Sequence, residues 1–146
     1  MNISLHPNIM LPNESLTPLL NHALAGESPM SSFKRLSLNI RSHAFMRTKQ
    51  GQPPVELHLE RSALNSDWKI VVIACFGFIE EHSDKLDVDL YFNLKRGWIY
   101  HPFSQDCNLL EPPCLSLLES FVKALSIRIQ THQFDEITLT PIVRFS

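Results

Sequence analysis

The chain is poor in the residues from which short functional motifs are built. Its 146 residues include four glycines and three cysteines. Gly26, Gly51, Gly77 and Gly97 stand alone. A phosphate-cradling loop needs clustered glycine ahead of a helix, so the dinucleotide and nucleotide-loop signatures are excluded. Cys75, Cys107 and Cys114 form no C-x-x-C pair, which removes a zinc knuckle and a thioredoxin-like motif as local signatures. An odd, scattered cysteine set fits a reducing cytoplasm. The seven histidines make no H-x-H or H-x-x-x-H pair, and the serines form no G-x-S-x-G elbow. Basic charge is also lacking. Thirteen Lys and Arg stand against fifteen Asp and Glu, for a net charge of −2. The densest basic spots are Lys34-Arg35 and Lys95-Arg96, too little for the stripe that a phosphate backbone requires, so nucleic acid is not an expected partner. The longest apolar stretch, around Ile70–Ile79, is too short to span a bilayer as a helix. Residues 1–7 have no basic n-region and no long apolar run, so no signal peptide and a cytoplasmic location are expected.

What the chain has is alternation. Leu36, Leu38 and Ile40 interleave with Ser37, Asn39 and Arg41. Val55, Leu57 and Leu59 interleave with Glu56, His58 and Glu60, and Leu86, Val88, Leu90 and Phe92 with Asp87, Asp89, Tyr91 and Asn93. A period of two places each apolar set on one face of a sheet and each polar set on the other. Residues 68–78 are apolar at nearly every position, as in a central strand covered on both sides. The pattern predicts strands over about 33–41, 55–61, 68–78 and 86–94, a reversal at Lys95-Arg96-Gly97, and a fifth strand beginning at Trp98–His101.

Helices frame this meander. Asn13 can cap a helix that carries Leu16, Leu19, Leu20, Ala23 and Leu24 and ends at Gly26. Pro112-Pro113 opens a longer one over about 113–130, with Leu115, Leu118, Val122, Leu125 and Ile129 on one stripe. Ile137, Leu139, Val143 and Phe145 alternate as a last strand, which Pro141 confines to an edge or breaks. Residues 1–12 read as an irregular arm, 42–54 as a long connection whose Phe45 and Met46 fold back on the core, and 103–111 as a loop. The expected fold is α+β in one domain, 1–146. A single twisted antiparallel sheet of about five meandering strands plus a C-terminal strand carries an N-terminal helix and the long helix near 113–130.

Two sets of residues are candidates for function. Glu56, His58 and Glu60, with Asp87 and Asp89, offer carboxylates and an imidazole of the kind that bind a divalent transition metal, provided both strands present them on one surface. The plainer reading is the wet face of an antiparallel sheet. The second set comes from strict alternation along 68–78, which puts Trp68, Ile70, Val72, Ala74, Phe76 and Phe78 on one face and Lys69, Val71, Ile73, Cys75 and Gly77 on the other. A sheet with one wet face has no need of Val71, Ile73 and Cys75 there. Either a helix covers them, the default, or a second subunit does.

Several segments together resemble a known bacterial family: Leu36-Ser37-Leu38-Asn39-Ile40-Arg41, Pro54-Val55-Glu56-Leu57-His58-Leu59-Glu60, Trp68-Lys69-Ile70-Val71, Phe76-Gly77-Phe78, Leu86-Asp87-Val88-Asp89-Leu90-Tyr91-Phe92 and Phe134-Asp135-Glu136-Ile137. The family is domain of unknown function 2787, found partly on mobile genomic islands, and the match spans about the last two-thirds of the chain. The resemblance implies a strongly twisted antiparallel sheet with flanking helices, similar to the acidic mitochondrial matrix protein that forms ring-shaped trimers and binds many ligands. The chain lacks that protein's strong acidic charge and is expected to end in a strand rather than a helix. The family supplies no catalytic residues.

These observations lean away from an enzyme and towards a non-enzymatic binding or scaffold protein acting through protein contacts or self-association. No cofactor or metal is expected. The alternative is a small metal-dependent hydrolase using Glu56, His58, Glu60, Asp87 and Asp89. A third reading is a small-ligand carrier in a curved sheet.

Overall fold

A computed structural model describes residues 3–5, 32–64, 66, 68–78, 85–101 and 104–145. Its elements are β1 (Ile3–Leu5), β2 (Phe33–Arg41), α1 (His43–Thr48), β3 (Val55–Glu60), β4 (Trp68–Phe78), β5 (Leu86–Asn93), β6 (Trp98–His101), β7 (Ser104–Asn108), α2 (Pro112–Gln130) and β8 (Glu136–Arg144). The strands form one sheet in the order β7-β6-β5-β4-β3-β2-β8, with β1 pairing in parallel with Trp68–Ile70 of β4. Every other pairing is antiparallel. The fold is therefore α+β, and consecutive strands from β2 to β7 lie side by side.

The alternation decides which face is dry. Leu36, Leu38 and Ile40 of β2 stand opposite Leu59, Leu57 and Val55 of β3, and all six are buried. Leu118, Val122 and Leu125 of α2 pack into the same cluster, with Leu115, Phe121 and Ile129 at its margin. The predicted stripe is thus the buried stripe, and the helix boundary differs from expectation by one residue. Pro112 and Pro113 start α2, where a missing N–H costs nothing because the first turn has no intrahelical acceptor. Arg128 lies in its last turn, favourably placed for the helix dipole.

Strand β4 departs from strict alternation, and the departure changes which residues share a face. Leu57 pairs with Ile73 and His58 with Val72, but Leu59 pairs with Ile70, so the ladder skips Val71. This bulge reverses the phase. Trp68 and Ile70 before it, and Ile73 and Cys75 after it, all face the α2 core, while Val72 and Ala74 turn to the opposite face, where they too are buried. A second bulge lies between β4 and β5: Cys75 pairs with Leu90 but Phe76 with Val88, skipping Asp89. Phe76 and Val88 then share the face opposite α2, and Gly77 and Asp87 the α2 side.

Other differences have local causes. Residues 43–48 of the expected connection form α1. Ser42 caps it by accepting from the Phe45 N–H, Lys49 ends it in the left-handed region, and Phe45 stacks on Phe78 with centroids 5.5 Å apart. Ser104–Asn108, read as loop, pairs with β6, and Ile3–Leu5 of the supposed irregular arm is a strand. Gly97 takes φ 81° at the reversal, as its position requires. Strand β8 ends the described sheet. Arg35 pairs with Val143 and Leu36 with Pro141, so the ladder is irregular beside the proline. The expected helix following Asn13 lies outside the described residues.

Candidate functional site

The sheet face opposite α2 carries a connected strip of polar side chains. Arg35, Ser37 and Asn39 come from β2, and Glu56, His58 and Glu60 from β3. The two strands pair as Arg35 with Glu60, Ser37 with His58 and Asn39 with Glu56. Period-two alternation puts all six on one side, and antiparallel register brings them within reach. Lys95, in the turn between β5 and β6, joins from the other direction.

The contacts form a chain. Asn39 Nδ2 donates to Ser37 Oγ at 3.5 Å, and Ser37 Oγ donates to Glu56 Oε1 at 2.6 Å. The same carboxylate oxygen lies 3.0 Å from His58 Nε2. His58 Nδ1 lies 2.9 Å from Arg35 Nη2. Arg35 Nη1 approaches Glu60 Oε2 at 3.8 Å, and Lys95 Nζ donates to Glu60 Oε1 at 2.6 Å.

This order fixes the proton on His58. A guanidinium only donates, so Nδ1 must accept and carries no hydrogen. In a neutral ring the hydrogen is then on Nε2, where it donates to Glu56. Burial pushes the Glu56 carboxyl up. The hydrogen bonds from Ser37 and His58, with the positive field of His58 and Arg41, outweigh burial and hold its pKa below the ordinary glutamate value.

The arrangement resembles a Ser–His–acid triad in composition only. In a triad the imidazole lone pair takes the hydroxyl proton and the carboxylate sits behind the imidazole. Here Glu56 sits between Ser37 and His58, and the imidazole lone pair is occupied by Arg35. Both nitrogens of His58 are engaged, so a metal could bind there only by displacing Arg35 or Glu56.

The other proposed ligands lie elsewhere. Strand β4 separates β3 from β5. Asp87 pairs with Gly77, and a Cβ built on Gly77 would lie 3.7 Å from the Asp89 Cβ, so both aspartates belong to the α2 side of the sheet. The set of five is therefore divided between two faces, because the β4–β5 bulge reverses the phase of Asp87. Among the described residues, no three His, Cys, Asp or Glu side chains are grouped to hold a metal ion.

The candidate interface residues are covered within the chain. Ile73 has no exposed surface and sits in the cluster with Leu118, Val122 and Leu125. Val71 is buried, and Cys75 packs against the same cluster. Burial, followed by the charge of Asp89, pushes the Cys75 thiol up to about 11, so it is no nucleophile at neutral pH. Ile73 thus packs in, and Cys75 against, the cluster to which α2 contributes.

Alternation alone did not single out the aromatic patch next to the polar strip. Tyr91 pairs with Tyr100 and Asn93 with Trp98, which places all four on the face opposite α2, beside Ala74 and Val72. Tyr91 and Trp98 stack with centroids 5.2 Å apart, and Tyr100 is exposed. The signal was available: Tyr91 and Tyr100, like Asn93 and Trp98, stand symmetrically about the Lys95-Arg96 reversal.

Among the described residues, no helix is long and apolar enough to cross a membrane. No curated protein matches the chain significantly. Two solved structures from Vibrio cholerae match it in fold. One is a hypothetical protein from the VSP-II pathogenicity island, with 14% identity, a TM-score of 0.81, and coverage of 97% of this chain and 100% of the other. The second, a conserved hypothetical protein from pathogenicity island VPI-2, has 22% identity and a TM-score of 0.69 over 84% of this chain and 89% of its own. It is described as sharing structural homology with the human P32 protein. The sequence pattern of the proteins of unknown function grouped as DUF2787 matches residues 14–140, and the chain belongs to that family.

Proposed function

We propose that this protein is a non-enzymatic binding or scaffold protein that acts through protein contacts, with the sheet face opposite α2 as its contact surface. The observation that carries this reading is the mutual saturation of the reactive groups on that face. Ser37 and His58 are committed to Glu56, the His58 lone pair to Arg35, and Glu60 to Lys95. A general base needs a free lone pair directed at a substrate proton, and His58 offers none. Beside this strip, Tyr91, Trp98 and Tyr100 supply the rigid amphipathic area that protein interfaces favour. The fold-level likeness to a protein compared with human P32 adds no ligand to this reading.

A photo-crosslinking amino acid in place of Tyr100, in cells that make the protein, tests the proposal. A discrete protein adduct at position 100, absent with the crosslinker at exposed Glu119 of α2, supports it. No adduct at position 100, or equal labelling at both positions, overturns it. The hydrolase alternative requires Glu56, His58, Glu60, Asp87 and Asp89 to converge, and their division between two faces counts against it.

A second copy of the chain is a partner of the same kind. Strand β8 closes the described sheet, and Ile137, Ile142 and Val143 on it are exposed. Edge strands with apolar side chains pair readily unless they are covered. Light scattering coupled to size exclusion tests this, and a 16.8 kDa species at tens of micromolar removes self-association from the proposal.

A further inference from the structure

The polar strip contains one element with two available arrangements. His58 accepts a hydrogen bond from Arg35 Nη2 on Nδ1, the nitrogen that gains a hydrogen when the ring is protonated. A guanidinium cannot accept, so this contact and a protonated His58 are mutually exclusive. On its other side, Arg35 has Glu60 Oε2 at 3.8 Å, opposite in charge and beyond hydrogen-bond distance. We propose that His58 is a proton-operated latch on Arg35. The neutral ring holds the guanidinium at Nδ1. Protonation expels it, and the guanidinium closes on Glu60.

The charged surroundings favour the two arrangements differently. From β2, Arg35 faces His58 directly, and Arg41 acts on its partner Glu56. On β3 itself, Glu56 binds Nε2 and Glu60 flanks Arg35. From β4, apolar Val72 stands opposite His58, and Lys69 opposite Glu60. From the β5–β6 turn, Lys95 holds Glu60 Oε1. Glu56 keeps its bond to Nε2–H in either state, so the ring stays in place while Arg35 moves. The arriving guanidinium takes Glu60 Oε2 while Lys95 keeps Oε1, so the two cations share one carboxylate. This inference concerns the polar strip alone and does not depend on the protein-contact reading.

¹⁵N NMR on the full chain with histidine and arginine labelled, from neutral pH down to about pH 5 where imidazole titrates, tests it. The expected result is a neutral His58 with hydrogen on Nε2 and none on Nδ1, and Arg35 side-chain resonances that shift with the same midpoint as His58. A neutral ring with hydrogen on Nδ1, or Arg35 signals that stay still while His58 titrates, overturns the latch.

Discussion

The guanidinium of Arg61 lies 4.3 Å from the ring centroid of Trp68. Arg61 follows β3 and Trp68 begins β4, so the stack closes the reversal between two central strands. Arg61 is buried, with Nε donating to the Phe33 carbonyl and Nη1 to the Leu64 carbonyl, both at 3.0 Å. Its backbone N–H donates to Lys34. One side chain thus ties the start of β2, the turn after β3 and the entry to β4, and its charge is spread over hydrogen bonds and an aromatic face.

Lysine cannot reproduce that fork. Arg61→Lys keeps the charge but leaves at least one buried carbonyl without its donor, and the expected loss of stability is about 1–3 kcal/mol. Urea unfolding followed by Trp68 fluorescence measures it. An unchanged midpoint would show that the clamp contributes nothing.

The α2 stripe makes a paired prediction. Leu118 is fully buried and its neighbour Leu117 is 45% exposed. Leu118→Ala should cost about 2–5 kcal/mol through lost burial and the cavity left behind. Leu117→Ala should stay within about 0.5 kcal/mol, as surface changes do. Equal effects at the two positions would mean that α2 presents a different face to the sheet.

Acid should weaken the fold partly through Glu56. Its pKa is held below the ordinary value in the folded state, so the unfolded chain binds the proton more readily. The resulting stabilisation is full above the unfolded glutamate value of about 4.3. It is lost as the pH falls through the folded value. Glu56→Gln should therefore lower the urea midpoint at neutral pH, with the gap to the native chain narrowing towards pH 3. A gap that is constant with pH would place the cause elsewhere.

How far the fold could be read depended on whether periodicity carried phase. In β2 and β3 it did. Polar residues mark every second position, so Leu36, Leu38, Ile40, Val55, Leu57 and Leu59 were legible as one face, and Glu56, His58 and Glu60 as the other. In β4 almost every residue is apolar, so a bulge at Val71 leaves no trace in the pattern, and the phase inverts unseen. The Asp89 bulge did the same to Asp87. Helix α1 escaped notice because it buries only Phe45, and β7 because Ser-Gln-Asp-Cys-Asn has no apolar alternation. The partners Arg35 and Ser37 needed the β2–β3 register, which is set by three-dimensional pairing rather than by spacing along the chain.

Ile73 makes the sharpest test of this corrected phase. Strict alternation from Trp68 would place it opposite Ile70, on a face open to a second subunit. The Val71 bulge instead puts Ile70 and Ile73 in the same core, beneath Leu118, Val122 and Leu125. These arrangements predict different outcomes for one substitution. A glutamate in a subunit interface dissociates the assembly and leaves a folded protomer, since the charge is then solvated. A glutamate at a position with no exposed surface is cut off from water, and burying a carboxylate costs a large part of a domain's margin of stability. Ile73→Glu should therefore unfold the chain, with loss of near-ultraviolet circular dichroism and of cooperative melting. Ile142→Glu, on the exposed part of β8, should keep both. A folded, cooperative Ile73→Glu protomer would refute the bulge and restore the interface reading.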